Sequence, residues 1–444
     1  RAEAAQPGAC GSTRREMAHG GGLTELVATI ENLSEAGSFE QLLAHLQNQE
    51  EMLIQHLPQL DDVLPVLRPV QHSLGMIFIL KCKAAAVPLS NVQAVHTFLL
   101  QCRRLLLECD PLQVQMVPVQ FVVVCAKFAN AAVAVSAPLA AILPLQHAIK
   151  VLQPSPAHFT PIHAEFMRMA LLARCYSAAK PILEQDLLQV DKEHTGCSPR
   201  DLLLYHYYAG MVLCGLKKFK LSAQYFTLCY SAPTHVVHAV MVESYKKCVL
   251  ASLLDSGKLP VQPKYTALPI QRFLKTGVAP YMEFANAFGS RKLETLRASL
   301  QKHEAAFERD HNLGLAKQCI QALIRRNILR LTQAYLTLSL SDIATLTELA
   351  SPAEAAACII SMVASGSISA TIDEALGMVH FSEDPDGFDS CEAVATMEQG
   401  IGDAINAAEK LGAMHAQLSL DASYLSRMMR ERSQARWEDD GMTK

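Results

Sequence analysis

From Leu23 to about Glu308, apolar residues recur at helical spacing in short segments separated by Pro, Gly, Asn or Asp, and strand-like alternation is scarce. This pattern predicts antiparallel helix pairs. Around Tyr208 the run Tyr208-Ala209-Gly210-Met211-Val212-Leu213 leads into Gly215-Leu216-Lys217-Lys218-Phe219, then Ser222 and Phe226. Small and aromatic residues at these offsets fit a tetratricopeptide-type hairpin: the small residues let two helices approach, and the aromatic fills the groove between them. Such hairpins cannot bury their faces alone, so they stack into an arm.

The last quarter has a different pattern. A helix is predicted from about Leu313 to Tyr335, with Ile320, Leu323, Ile324, Ile328 and Leu331 on one face and Lys317, Arg325, Arg326 and Arg330 outside it. A short helix near Ser341 to Leu349, capped by Ser341, is expected to turn Ile343 and Leu346 inward. Ser351-Pro352-Ala353-Glu354 reads as a capping box opening a third helix, with Ala356, Ile359, Ile360 and Val363 as its apolar stripe. Ile368, Ala370 and Ile372 then alternate with Ser369 and Thr371, a turn spans Asp373 to Gly377, and Met378 to Phe381 returns. Three helices and a two-stranded hairpin make a winged helix, whose open strand edge, beside Ile368, Ile372, Met378 and Phe381, could take another strand. About half of those four side chains are expected to cover the wing's own helices instead.

Beyond Ser390, Val394, Met397, Ile401, Ala404, Ala408, Leu411, His415, Leu418, Ala422 and Leu425 repeat at steps of three and four, a heptad-like seam that calls for partners. Gly400, Gly402 and Gly412 each weaken that helix by about 1 kcal/mol relative to alanine. The expected domains are a disordered leader over 1–22, a helical-repeat arm over 23–308, a winged helix over 309–385, a C-terminal bundle helix over 386–430 and a disordered tail over 431–444.

Composition narrows the classes of function. Half of the 444 residues are hydrophobic, 18% are charged and the mean hydropathy is +0.15, which suits a chain whose surface is partly covered by others. A net charge of −4 gives no global attraction to nucleic acid or anionic membrane. Thirteen cysteines without a CxxC pair or a preceding secretory signal point to core thiols in a reducing compartment, nucleus or cytoplasm. The uncharged stretch Phe128 to Ile149 is long enough to span a membrane, but its alanines, Asn130, Pro138 and Pro144 predict two buried helices meeting at a proline.

No nucleophile elbow, phosphate loop, dinucleotide fingerprint, HExxH or paired CxxC occurs, so no catalytic residue, metal ligand or cofactor is assigned. His235-Val236-Val237-His238 would put two imidazoles on one helix face without an acidic third ligand, and is read as structural. Glu50-Glu51 and Asp61-Asp62 are read as solvated faces, and Tyr205-His206-Tyr207-Tyr208 as core packing. Between Leu331 and Glu409 there are thirteen acidic residues and no Lys or Arg, so this winged helix would repel phosphate rather than bind it.

Several blocks resemble a known family: His72-Ser73-Leu74-Gly75, Ile162-His163-Ala164-Glu165 through Cys175, Glu243-Ser244-Tyr245-Lys246-Lys247, Pro263-Lys264-Tyr265, Arg309-Asp310-His311-Asn312-Leu313-Gly314-Leu315, Leu336-Thr337-Leu338-Ser339-Leu340, and Gly377-Met378-Val379 with Phe381. The chain resembles the PCI-domain family, and within it the scaffold subunits of the COP nine signalosome. That resemblance implies a mainly α fold, with a tetratricopeptide-like arm followed by a PCI winged helix and a C-terminal helix. It implies winged helices pairing side by side and C-terminal helices gathering in a bundle. The interface residues would be Ile368, Ile372, Met378, Phe381, Val394, Met397, Ile401, Leu411 and Leu418. The implied partners are other PCI subunits, a metalloprotease subunit and, through the complex, cullin-RING ligases, with no nucleic acid and no membrane. A PCI scaffold of the proteasome lid or of a translation-initiation complex, and a nucleic-acid-binding PCI protein, are the alternatives.

Overall fold

The computed structural model of the chain describes residues 13–87, 91–234, 236–382 and 391–430. It divides into two compact units at Arg326 and Asn327. The first holds α1 (Thr13–Glu35), α2 (Pro69–Ala86), α3 (Val92–Glu108), α4 (Pro118–Ala134), α5 (Leu139–Leu152), α6 (Ile162–Leu172), α7 (Pro199–Gly215), α8 (Phe219–Ser231), α9 (Ala239–Asp255) and α10 (Ala279–Gly289), with shorter helices between them. α1 begins inside the stretch assigned from sequence to the leader, because Arg14 to Ala18 are good helix formers. A parallel pair of two-residue strands, β1 (His158–Phe159) and β2 (Gln189–Val190), lies among the helices.

The helix pairs expected from the pattern are present. α2 packs on α3 and α4, α3 on α5, α6 on α7, and α7 on α8, which in turn packs on α9. The apolar stretch near Phe128 is α4 and α5, which meet at Pro138, and no helix among the described residues is long and apolar enough to cross a membrane. α7 opens with a complete capping box, Ser198 and Asp201 each bonding the other's backbone N–H. At the α7–α8 crossing, a Cβ on Gly210 would lie 2.6 Å from the fully buried Phe226 ring, while the Ser222 hydroxyl donates to the Gly210 carbonyl at 2.8 Å.

Two motifs from the sequence explain local geometry. α2 breaks its helical backbone at His72 (φ −116°, ψ 29°). There the Leu74 N–H is satisfied by the Gln113 side chain at 2.9 Å instead of by a carbonyl one turn back, and Ser73 accepts the Asp110 N–H at 2.8 Å. Gly75 then allows the close approach of Ile30 from α1, 2.8 Å from where a Cβ would sit. The paired acids are not simply solvated faces. Glu50 pairs with Lys81 at 2.7 Å, and Asp61 pairs with the buried Lys83 and accepts from Gln101, because a buried ammonium requires an anion.

Aromatics and imidazoles pack together where α6 meets α7. Phe159 stacks on His163, and Tyr205 contacts Phe159, His163, His206 and Tyr225, which places the aromatic run in the core. The Thr160 N–H donates to His163 Nδ1 at 3.1 Å, and burial lowers the pKa of both His163 and His206 to about 4.

The second unit continues from α11 (Leu313–Ala334), within which the boundary falls, into β3 (Thr337–Ser339), α12 (Leu340–Leu346), α13 (Pro352–Ala364), β4 (Ser369–Asp373), β5 (Met378–Ser382) and α14 (Cys391–Leu420). The order from α11 through β3, α12 and α13 to the β4–β5 hairpin is that of a winged helix. The sheet has three strands rather than two. β5 is central, antiparallel to β3 (Leu338 opposite Val379) and to β4 (Ile372 opposite Val379). The cap of α12 is Ser339, not Ser341, because β3 runs to Ser339 and its hydroxyl accepts the Asp342 N–H at 3.0 Å. Ser351 caps α13 as expected, but the Glu354 carboxylate reaches back to the Ala350 N–H, one residue before the cap. The buried stripe of α13 is Ala355, Ile359 and Met362, while Ile360, Val363 and, on α12, Leu346 are exposed.

Two outcomes test this packing. Gly210→Ala should destabilise the chain by about 1–3 kcal/mol through overpacking against Phe226, more than the about 1 kcal/mol gained in helix propensity, as read by denaturant unfolding. His163 stays neutral in the folded state, whereas the unfolded chain takes up its proton as pH falls below the ordinary 6.5. Stability should therefore fall as pH drops from about 6.5 towards 4, and His163→Gln should remove about one proton from the uptake on unfolding.

Candidate subunit interface

α14 is a thirty-residue helix in which no side chain is buried among the described residues. Val394 is 46% exposed, Met397 48%, Ile401 61%, Leu411 69% and Leu418 45%, so the five seam residues expected at the interface face solvent, joined by Ile405 at 55%. Nothing lies within 4 Å of a Cβ built on Gly400, Gly402 or Gly412. A lone helix of this kind draws its stability from burying an apolar face against something else. The seam is interrupted where the sequence pattern ran on. Asp421 leaves the helix, and its carboxylate accepts the Ser423 and Tyr424 N–H groups at 2.7 and 3.2 Å, capping a new helical stretch over 422–430 that carries Ala422 and Leu425.

The wing residues separate into two kinds. Ile368 and Phe381 are buried within their own unit, at 9% and 6% exposure; Ile372, opposite Val379, shares their inward face, and Met378, opposite Asp373, lies on the other. Ile372 and Met378 are half-buried. The free edges of the sheet are β3 and β4, and Met378 and Phe381 stand on the central strand, so of the four only Ile372 belongs to an open edge. A pocket of about 380 Å³ lies where the end of α11 meets the wing, lined by Leu329, Tyr335, Leu336, Ile368 and Phe381 with hydroxyls of Thr332, Ser367 and Ser382. Beside the apolar Ile360 and Val363 of α13, the nearest ionised side chain on that helix is Glu354, an arrangement suited to protein and not to phosphate.

A polar cluster in the first unit joins two of the motif blocks. Lys246 of α9 contacts Glu243 at 2.6 Å and Asp310 at 2.8 Å, and Asp310 also accepts from the Tyr281 hydroxyl at 3.0 Å. Asn312 donates to Tyr281 and accepts from Lys247, both at 2.8 Å. Burial alone would raise the Asp310 carboxyl, yet hydrogen bonds from Lys246 and Tyr281 hold it below the usual carboxylate range. Burial pulls Lys247 down. None of these side chains leaves a buried polar atom without a partner, and the set fixes α9 against α10 and the corner before α11. Sequence reading singled out both blocks without pairing them, since a contact 64 residues apart leaves no local signal.

No metal centre emerges. Among the described residues no group of three or more His, Cys, Asp or Glu could hold a metal ion. His238 is the residue before α9, in extended conformation, so the His-x-x-His segment does not stack two rings on a helix, and His235 lies outside the described residues. The described cysteines are free, most of them buried, with thiols such as Cys109 pushed up to about 12 by burial.

An arm of packed helix pairs followed by a winged helix defines a PCI-type subunit, and the PCI domain family matches residues 300–383. The family described as COP9 signalosome complex subunit 3, N-terminal helical repeats, matches residues 36–270. Two similar proteins are named COP9 signalosome complex subunit 3. The one from Arabidopsis thaliana is 36% identical over 371 residues, covering 83% of this chain and 85% of its own. The one from Drosophila melanogaster is 30% identical over 425 residues, covering 92% and 95%. The chain belongs to the COP9 signalosome subunit 3 family.

The polar cluster supplies the test for this region. Asp310→Ala leaves Lys246 with Glu243 alone and should cost about 3 kcal/mol, read as a lower unfolding midpoint with an unchanged helical spectrum at low denaturant.

Proposed function

We propose that the chain acts as a non-catalytic scaffold subunit of the signalosome, joined to its sister subunits chiefly through α14. The family membership supports the assembly, and the thirty-residue helix with its seam in water is the observation that carries the mode of attachment. Sister PCI subunits supply the partner helices, and a separate metalloprotease subunit supplies the chemistry that removes the ubiquitin-like modifier from cullin-RING ligases. The wing adds a second, smaller contact along the open β4 edge that carries Ile372, whose side chain is already half covered; Met378, opposite Asp373, lies on the other face of the sheet. In this reading residues 23–308 form the arm, 309–385 the winged helix and 386–430 the bundle helix. The free, buried thiols support residence in the nucleus and cytoplasm.

Ile401→Asp with Leu411→Asp should leave the unfolding midpoint of the chain unchanged, since both side chains are exposed, while weakening co-elution with co-expressed sister PCI subunits by about 2–4 kcal/mol or more. Ile372→Asp should have a weaker effect of the same sign. Full retention of the double variant in the complex would remove α14 as the attachment.

A further inference from the structure

A second unpartnered apolar surface lies far along the chain from α14, on α3 and α5. Leu100 and Leu107 stand two turns apart on the outer face of α3, with Arg103 between them, and Leu139 and Leu143 stand one turn apart on α5. Their exposures are 56%, 39%, 64% and 67%, high for leucine, and the last three line one groove. Between the two helices runs a groove of about 430 Å³, lined by Leu107, Leu139, Ala140, Leu143 and Pro144, with Arg103 as its one charged side chain. Its floor is fixed, because His147 of α5 meets the Leu106 carbonyl of α3 at 2.8 Å.

The charge at this groove is unspent. Arg104, the next residue, donates to the carbonyls of Leu64, Pro65 and Leu67 and is committed to the fold. Arg103 is exposed and has no hydrogen bond or ion pair among the described residues. Lys81 and Lys83, on the neighbouring α2, are spent on Glu50 and Asp61, so Arg103 is the cation the groove itself offers to an anionic group. A nucleic acid or an anionic membrane would call for a stripe of cations, whereas one cation among three leucines matches an apolar ridge with a single carboxylate beside it.

We propose that the α3–α5 groove docks an amphipathic helix of a partner protein, with apolar side chains one to two turns apart entering between the helices and a carboxylate meeting Arg103. This surface is separate from the α14 seam and does not depend on it. Two packed helices offering a preformed channel suit a third helix, whose i, i+3 and i+7 side chains fall along one line.

The test uses the full chain and a labelled helical peptide of about five turns, with leucines at i, i+3, i+4 and i+7 and glutamates on the flanks, followed by fluorescence anisotropy. Saturable binding is expected, weakened about tenfold by Arg103→Glu and by Leu143→Asp, and left unchanged by Ile401→Asp. All three substitutions are at exposed positions, and matching thermal unfolding curves check that each variant folds. The twin peptide with lysines in place of glutamates should bind at least about tenfold more weakly. Equal binding of the lysine twin, indifference to both groove substitutions, or no saturable binding would each overturn the proposal. Binding to phosphatidylserine vesicles that Arg103→Glu abolishes would assign the groove to a lipid surface, and self-association abolished by the same variant would assign it to a second copy. Either result would likewise refute a partner helix.

Discussion

The arm depends on an ion pair that has to be made between segments far apart in sequence. Lys246 and Lys247 are carried into the interior by α9, whose neighbouring residues on almost every side are buried. An ammonium there needs an anion, or a neutral acceptor with its remaining protons satisfied. Asp310 and Asn312 supply these from the corner before α11, and Tyr281 of α10 closes the set by bonding to both. Three helices that share few apolar contacts in sequence are thereby brought to one register, since a shift of any of them would strand a buried charge. Apolar packing tolerates small slips, but this cluster does not.

The opposite condition holds at the C-terminus, where an apolar seam has nothing to pack on within the described residues. The helix is long, its glycines are unhindered, and acidic side chains outnumber basic ones along it. Such a segment gains little from its own chain, and its free energy is realised when other helices cover it. The α3–α5 groove is the reverse case, a cleft formed by two helices whose inner faces, through residues such as Phe98, Leu105, Ile142 and Leu145, are committed to the core. One surface is a ridge without a groove and the other is a groove without a ridge. Both belong to a protein whose work is to hold others in place.

Much of this was legible in the sequence because helical period and small-residue spacing are local signals. Gly210, Ser222 and Phe226 specified a close crossing, and α7 and α8 make it. The seam of α14 was legible for the same reason. The third strand was not read, although Leu336, Leu338 and Leu340 alternate with Thr337 and Ser339, because three residues between two helices are too short to outweigh the helical pattern on either side. The partition of the wing was half legible. Alternation put Ile368 and Ile372 on one face, but which strand would be central, and hence that Phe381 is consumed by its own unit, depends on β3. Ile360 and Val363 were assigned inward because two adjacent stripes on one apolar helix cannot be ranked from sequence alone.

Charge is spread unevenly along the chain. Residues 331–409 hold thirteen acidic residues and no Lys or Arg, whereas residues 50–165 hold seven acidic and seven basic ones. Such segregation contributes little to the stability of either region, since most of these side chains are solvated and screened. Its effect is on encounter: an acidic stretch disfavours approach by polyanions and other acidic surfaces. A winged helix that has lost every cation from its recognition helix and wing, and shows Ile360 and Val363 there instead, keeps a shape suited to grooves and edges while giving up the charge that DNA requires. What remains is a shape suited to protein, and on α3 the same chain carries Arg103, which has no hydrogen bond or ion pair among the described residues.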